Sequence, residues 1–161
     1  MVRYVRQSDK YSCGPTAIIN AIKWAGYSYP SRDNLMFVAR ACSSSYEFGT
    51  EEADLERVLR QLTCGFLRVR KRCRPTIDEL ARHVAKPDCA AIVLYYHSSD
   101  PSGPGHYTLM TDADAGHVIL VNDTTHETVT RSPRCLFSLR LRNMRDDRRS
   151  FPQAWLLRRY A

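Results

Sequence analysis

Apolar positions recur at helical spacing in the first third of the chain and at strand spacing through most of the rest. Ala17, Ile18, Ala21, Ile22 and Ala25 share one stripe, which predicts a helix over 13–25. Pro15 suits its first turn and Gly26 its C′ position. A second helix is predicted over 31–42, with Ser31 as N-cap and Leu35, Val38 and Ala39 on its apolar face. After a loop at 43–50, a third begins at Thr50, helped by Glu51 and Glu52 in its first turn. It runs to about Thr63 and stops near Gly65.

The pattern then changes. Residues 66–73 alternate apolar and basic, which predicts a short strand near a sheet edge with Arg68, Arg70 and Arg72 on the wet side. Thr76-Ile-Asp-Glu79 is a capping-box sequence that opens a fourth helix, ended by Pro87. Cys89–Tyr96 is a nearly continuous apolar run and predicts a central strand. A loop follows at 97–105, rich in Ser, Asp, Pro and Gly. Two strands at 106–112 and 117–122 flank a hairpin turn, Ala113-Asp114-Ala115-Gly116, and 127–131 supplies another pairing segment. The tail from 135 mixes Arg with Leu and ends in a strand around Ala154-Trp155-Leu156-Leu157. Helices first and an antiparallel sheet after them predict an α+β domain.

A chain of 161 residues makes one domain, 1–161, the natural count, with the helical part at about 13–63 and the sheet part at about 66–160. A hydrophobic fraction of 43% with 25% charged residues is that of a globular protein. No run reaches the roughly 18 apolar residues of a membrane span, and the N-terminus has no apolar signal core. The cytoplasm is therefore the expected compartment. The six cysteines are dispersed, and Cys42, Cys64 and Cys89 lie beside apolar residues, where buried reduced thiols are expected. Their spacing is not that of a zinc site, so no metal or other cofactor is expected. Net charge is +7, and most basic residues are Arg. A solvated basic face explains that balance, and a nucleic acid or acidic protein partner is the alternative.

The candidate chemistry begins at Gln7-Ser-Asp-Lys-Tyr-Ser-Cys13-Gly14-Pro15-Thr16-Ala17. A thiol at a helix N-terminus meets the positive end of the macrodipole, which favours thiolate. Gly14 leaves room for a carbonyl to approach the Cys13 N–H, and the Gln7 amide is a second donor for an oxyanion. Of five histidines, His106 follows Pro104-Gly105 at the start of a strand, and His97 at the end of the central strand is its rival as base. His83 lies in a charged helix and reads as surface. Asp123 lies 17 residues after His106, where a hairpin returns the chain to the same sheet end. Its carboxylate, or the amide of Asn122, can orient an imidazole.

Gln7…Cys13-Gly14-Pro15-Thr16-Ala17, Gly105-His106-Tyr107 and Val121-Asn122-Asp123 together resemble the papain-like peptidases related to the bacteriocin-processing (double-glycine leader) peptidases. The resemblance spans roughly residues 3–130, and Phe151–Trp155 is similar to a closing strand of that family. It implies a papain-like fold and a cysteine peptidase acting on peptide or protein substrates. Cys13 would be the nucleophile, His106 the general base and acid, Asp123 the orienting residue and Gln7 the oxyanion donor. Two features depart from the family. Thr124 stands where it usually has proline, and the chain has no span or ATP-binding motif like those of the peptide exporters that carry such domains. The same residues on this scaffold also serve transglutaminases, deamidases and acyltransferases. A non-catalytic basic binding module is the third reading, carried by Arg68–Arg74 and by the arginines from Arg140 to Arg149.

Overall fold

The computed structural model describes residues 2–7, 9, 11–28, 32–96, 105–123, 127–146 and 151–160. Ser31, His97, the loop up to Pro104, Thr124, His126, Arg148 and Arg149 lie outside the described residues.

The first helix, α1 (Cys13–Trp24), is buried on nearly every side, because it lies between the sheet and two further helices. Its C-terminus closes as expected: Gly26 takes a φ of 92°, and the Gly26 and Tyr27 amides return to the Lys23 and Ile22 carbonyls. Helices α2 (Arg32–Ala41) and α3 (Glu52–Leu62) cover it, with Val38, Leu55, Val58 and Leu59 buried. Helix α3 starts two residues later than the sequence predicts. Thr50 is engaged elsewhere: its carbonyl accepts the Tyr107 hydroxyl at 3.0 Å and its Oγ1 lies 2.6 Å from Ser44 Oγ.

The six strands are β1 (Leu67–Cys73), β2 (Cys89–Tyr96), β3 (Gly105–Ala113), β4 (His117–Val121), β5 (Val129–Pro133) and β6 (Gln153–Arg159). They form one antiparallel sheet in the order β1-β6-β2-β3-β4-β5. β1 is an edge and β2 is internal, as their patterns require. Helix α4 (Ile77–Val84) opens with the full capping box between Thr76 and Glu79.

One element departs from the sequence reading. Residues 134–146 form a fifth helix, α5 (Arg134–Asp146), in the tail that reads as mixed Arg and Leu. Phe137, Leu141 and Met144 are buried along one side of it. Its presence changes the layering. Alternate residues of β2 point to opposite faces: Ala90, Ile92, Leu94 and Tyr96 join the α1–α3 core, while Ala91, Val93 and Tyr95 join a second core with α4 and α5. The sheet is therefore covered on both faces, which explains the unbroken apolar run in β2.

Two other expectations change. Cys42 and Cys89 are buried, but Cys64 is exposed in the turn after α3; all six thiols are free. His83 is half-buried, and its Nε2 lies 3.2 Å and 3.1 Å from the Ala90 and Leu157 carbonyls.

Gly14 is required by a close approach. A Cβ built there would lie 2.8 Å from both Cβ and Oγ1 of Thr50. Gly14→Ala should destabilise the fold by about 1–3 kcal/mol through overpacking, against a helix-propensity gain of only about 1 kcal/mol. Denaturant unfolding measures this, and a neutral or stabilising result would contradict the packing described. A second prediction concerns pH. Burial pushes the Tyr95 and Tyr107 phenols up, and the Cys42 thiol up to about 12. Above the usual thiol and phenol values of 9.0 and 10.0 the folded state holds protons that the unfolded chain releases. Stability is therefore complete below those values and falls as pH rises past them. Melting temperature should drop between about pH 8 and 10.5, and Tyr107→Phe should flatten the drop. A melting temperature constant over that range would contradict it.

Candidate active site

The segment ahead of α1 is fixed at three points. Asn20, buried on α1, accepts the Val5 N–H at 2.7 Å and donates to the Val5 carbonyl at 2.8 Å. Asp9 Oδ1 accepts the Tyr11 and Ser12 amides at 3.0 Å and 2.7 Å, an Asx turn that delivers the chain into the helix. The third point is Gln7. Its N–H donates to Asn122 Oδ1 at 2.9 Å, and Asn122 Nδ2 donates back to Gln7 Oε1 at 2.8 Å. The backbone N–H can only donate, so it fixes which end of the Asn122 amide faces it, and that in turn fixes the Gln7 amide. Gln7 Nε2 gives one N–H to the Asp9 carbonyl at 3.0 Å. Its second N–H has no partner among the described residues.

Cys13 is the first residue of α1 and is 5% exposed. Burial pushes its thiol up, and this outweighs the N–H groups of Tyr107, Gly14 and Cys13, which pull it down; Asp9 adds to the rise. Burial thus opposes the thiolate that a helix N-terminus favours. The Tyr107 N–H beside Sγ belongs to the residue that follows His106 in β3.

His106 occupies the second position of β3, opposite Tyr95 of β2, and its ring meets that of Tyr95 edge-on at 5.8 Å. Its Nε2 lies 2.8 Å from the main-chain carbonyl of Asn122. A carbonyl only accepts, so Nε2 is the donor in this contact. Asn122 can aim both its carbonyl at His106 and its amide at Gln7 because it adopts a φ of 62°. That region is one asparagine tolerates.

Asp123 is 1% exposed. Its carboxylate accepts the Tyr95 hydroxyl and lies 3.2 Å and 3.3 Å from Arg140 Nη1 of α5. Arg140 also lies over the Tyr95 ring. The structure thus joins Gln7, Asn122 and His106 in one hydrogen-bonded set and Asp123, Tyr95 and Arg140 in another, with the His106–Tyr95 ring contact linking them. After burial, the Asp123 carboxylate pushes the Tyr95 phenol up, and Cys13 would add to the rise when ionised, so the thiol and the carboxylate share this end of the sheet.

A cleft of about 470 Å³ opens beside Cys13, a volume suited to a peptide side chain or two. Tyr11, Tyr46 and Phe48 form an aromatic rim, and Glu47, Glu51 and Glu52 line it; no Lys or Arg does among the described residues. That is the reverse of the chain's overall +7. Sequence reasoning assigned none of Asp9, Tyr95, Arg140 or Thr50 to this site. Only Asp9 left a signal, in its Asx-turn spacing to Ser12. Among the described residues no cluster of His, Cys, Asp and Glu could hold a metal, and no helix is long and apolar enough to cross a membrane.

No family model matches the sequence, and no curated protein matches it. Solved structures do. The peptidase domain of Streptococcus ComA, a bifunctional ABC transporter involved in quorum sensing, superposes with a TM-score of 0.70 at 14% identity, covering 98% of each chain. A double-glycine-motif protease from an AMS/PCAT transporter, solved with a leader peptide, gives 0.66 at 14% identity, covering 98% of this chain and 92% of that one. A protein from Bacillus anthracis described as C39-like peptidase gives 0.71 at 12% identity, with 99% and 96% covered. At these identities the likeness speaks to the fold: this chain has, over nearly its whole length, the fold of the bacteriocin-processing peptidase domains.

Proposed function

We propose that the protein is a cysteine peptidase in which Cys13 is the nucleophile and His106 the general base and acid. The observation that carries this reading is a buried thiol at a helix N-terminus against the N–H of Tyr107, the strand neighbour of His106, whose Nε2 is held at the Asn122 carbonyl. The peptidase domains that share the fold support the same reaction class, and the leader peptide bound to one of them supports a peptide as substrate.

His106 takes the thiol proton as Sγ attacks the peptide carbonyl. The carbonyl oxygen becomes an oxyanion, held by the Cys13 N–H and by the second Nε2–H of Gln7. The tetrahedral species collapses to a thioester as imidazolium protonates the departing amine. Water then attacks the thioester, giving its proton to His106, and the acid leaves with Cys13 restored. Asn122 orients the imidazole through its carbonyl. Asp123 is the anion of the set: its buried charge, close to the ring through Tyr95, favours the imidazolium that forms in both steps. The acidic, aromatic-rimmed cleft favours peptides carrying a positive side chain near the scissile bond.

The test is cleavage of a peptide mixture containing Lys and Arg beside small residues, followed by mass spectrometry. Hydrolysis by the wild type should vanish in Cys13→Ala. It should fall about 10²–10⁴-fold in His106→Ala. Gln7→Ala should lower kcat by about 10²–10³-fold with KM little changed. Amide products formed with an added amine, in place of hydrolysis, would reassign the chemistry to acyl transfer. No Cys13-dependent product of either kind would overturn the proposal.

A further inference from the structure

The sheet face opposite Cys13 is only partly covered. Helix α4 packs over β2 and β3, and the β1–β6 pair runs out beyond it. Leu67, Val69 and Leu157 of that pair point into the α1–α3 core, so Arg68, Arg70 and Arg158 project to the other side. There they meet Lys86 and the half-buried His83 at the end of α4. Two recesses, of about 260 and 550 Å³, share Arg70, His83, Lys86 and Leu156 and form one continuous groove.

The charge arrangement in this groove is unfavourable to the protein alone. Arg68 and Arg158 are direct cross-strand partners, and like charges in that relation destabilise a sheet. Arg68, Arg70, Lys86 and Arg158 are in no ion pair among the described residues. Among the described residues Glu79 is the one carboxylate lining the groove, and it is bonded to Arg72. A solvated basic surface would spread its charges, whereas here they converge from two strands and a helix on one concavity. Lys86 and Arg70 also help to push His83 down, after burial as the main cause.

We propose that the groove between α4 and the β1–β6 pair binds a compact polyphosphate group, of the size of a diphosphate or triphosphate. Guanidinium forks match phosphate oxygens in bidentate geometry. Four uncompensated cations around one recess call for several negative charges in a small volume, which a single carboxylate does not supply. A nucleic-acid backbone spreads its charge along its length. Among the described residues no Phe, Tyr or Trp lines the groove to stack a base. The volume is that of a small-molecule site. Because the groove and Cys13 lie on opposite faces of the sheet, this site does not depend on the peptidase reading.

Calorimetric titration with inorganic tripolyphosphate at low salt tests it, on the wild type, Arg68→Gln, Arg158→Gln and Arg40→Gln, the last altering an exposed arginine of α2. One-to-one binding is expected in the wild type. It should weaken about tenfold or more in each groove variant and stay unchanged in Arg40→Gln. The unliganded Arg158→Gln protein should melt no lower than the wild type, since a repulsion is removed. Four results would overturn the proposal. These are no binding at low salt, equal weakening by Arg40→Gln, equally tight binding of hexaglutamate, and tighter groove-dependent binding of a duplex oligonucleotide. A lower melting temperature for Arg158→Gln would remove the repulsion argument.

Discussion

The close approach of α1 to the sheet governs the rest of the molecule. Gly14 lets the helix start press against Thr50, and the Thr50 carbonyl takes the hydroxyl of Tyr107. The Tyr107 N–H then faces the Cys13 sulfur. One glycine thereby sets the height of the thiol above β3, next to the residue proposed as its base. The same contact buries the thiol and so works against the thiolate that the helix N-terminus favours. The N-terminal segment contributes by being tied at both ends, to Asn20 on the helix and to Asn122 on the sheet.

Asn122 does two jobs with one backbone conformation. Its left-handed φ turns the carbonyl toward His106 while the side chain holds Gln7. Orientation of the His106 imidazole and orientation of the Gln7 amide are thus coupled through a single residue. Asp123 is taken instead by Tyr95 and Arg140, as a buried ion pair whose charges are desolvated together. Loss of one partner there would strand the other. Charge is also divided between the two faces of the sheet: carboxylates line the cleft at Cys13, and uncompensated cations line the groove by α4. The net +7 is a sum over two opposite fields and describes neither.

Most elements were legible because their periodicity was clean, as in the stripe of α1, the capping box of α4 and the unbroken run of β2. Helix α5 was not. Leu139-Arg-Leu-Arg142 alternates like a strand, while the helical repeat Phe137, Leu141, Met144 is spread thinly among arginines. Missing α5 also hid the second core and, with it, Arg140 as the partner of Asp123. The return of the chain to the His106 end of the sheet at Asn122 and Asp123 was legible from motif spacing. Which atom faces the imidazole was not, because a main-chain carbonyl carries no side-chain signature. The fate of His83 was hidden for a related reason: its partners are carbonyls of two strands far away in sequence.

The measurement that bears most directly on the central claim is the alkylation rate of each cysteine by iodoacetamide between about pH 5 and 9, read by mass spectrometry on the wild type and on His106→Ala. A Cys13–His106 pair predicts that the Cys13 rate rises with pH well below the usual thiol value of 9.0. That rise should disappear in the variant, where burial leaves an inert thiol. A Cys13 rate that follows those of the exposed Cys64 and Cys135, or that is the same in both proteins, would contradict the pair and the peptidase reading built on it.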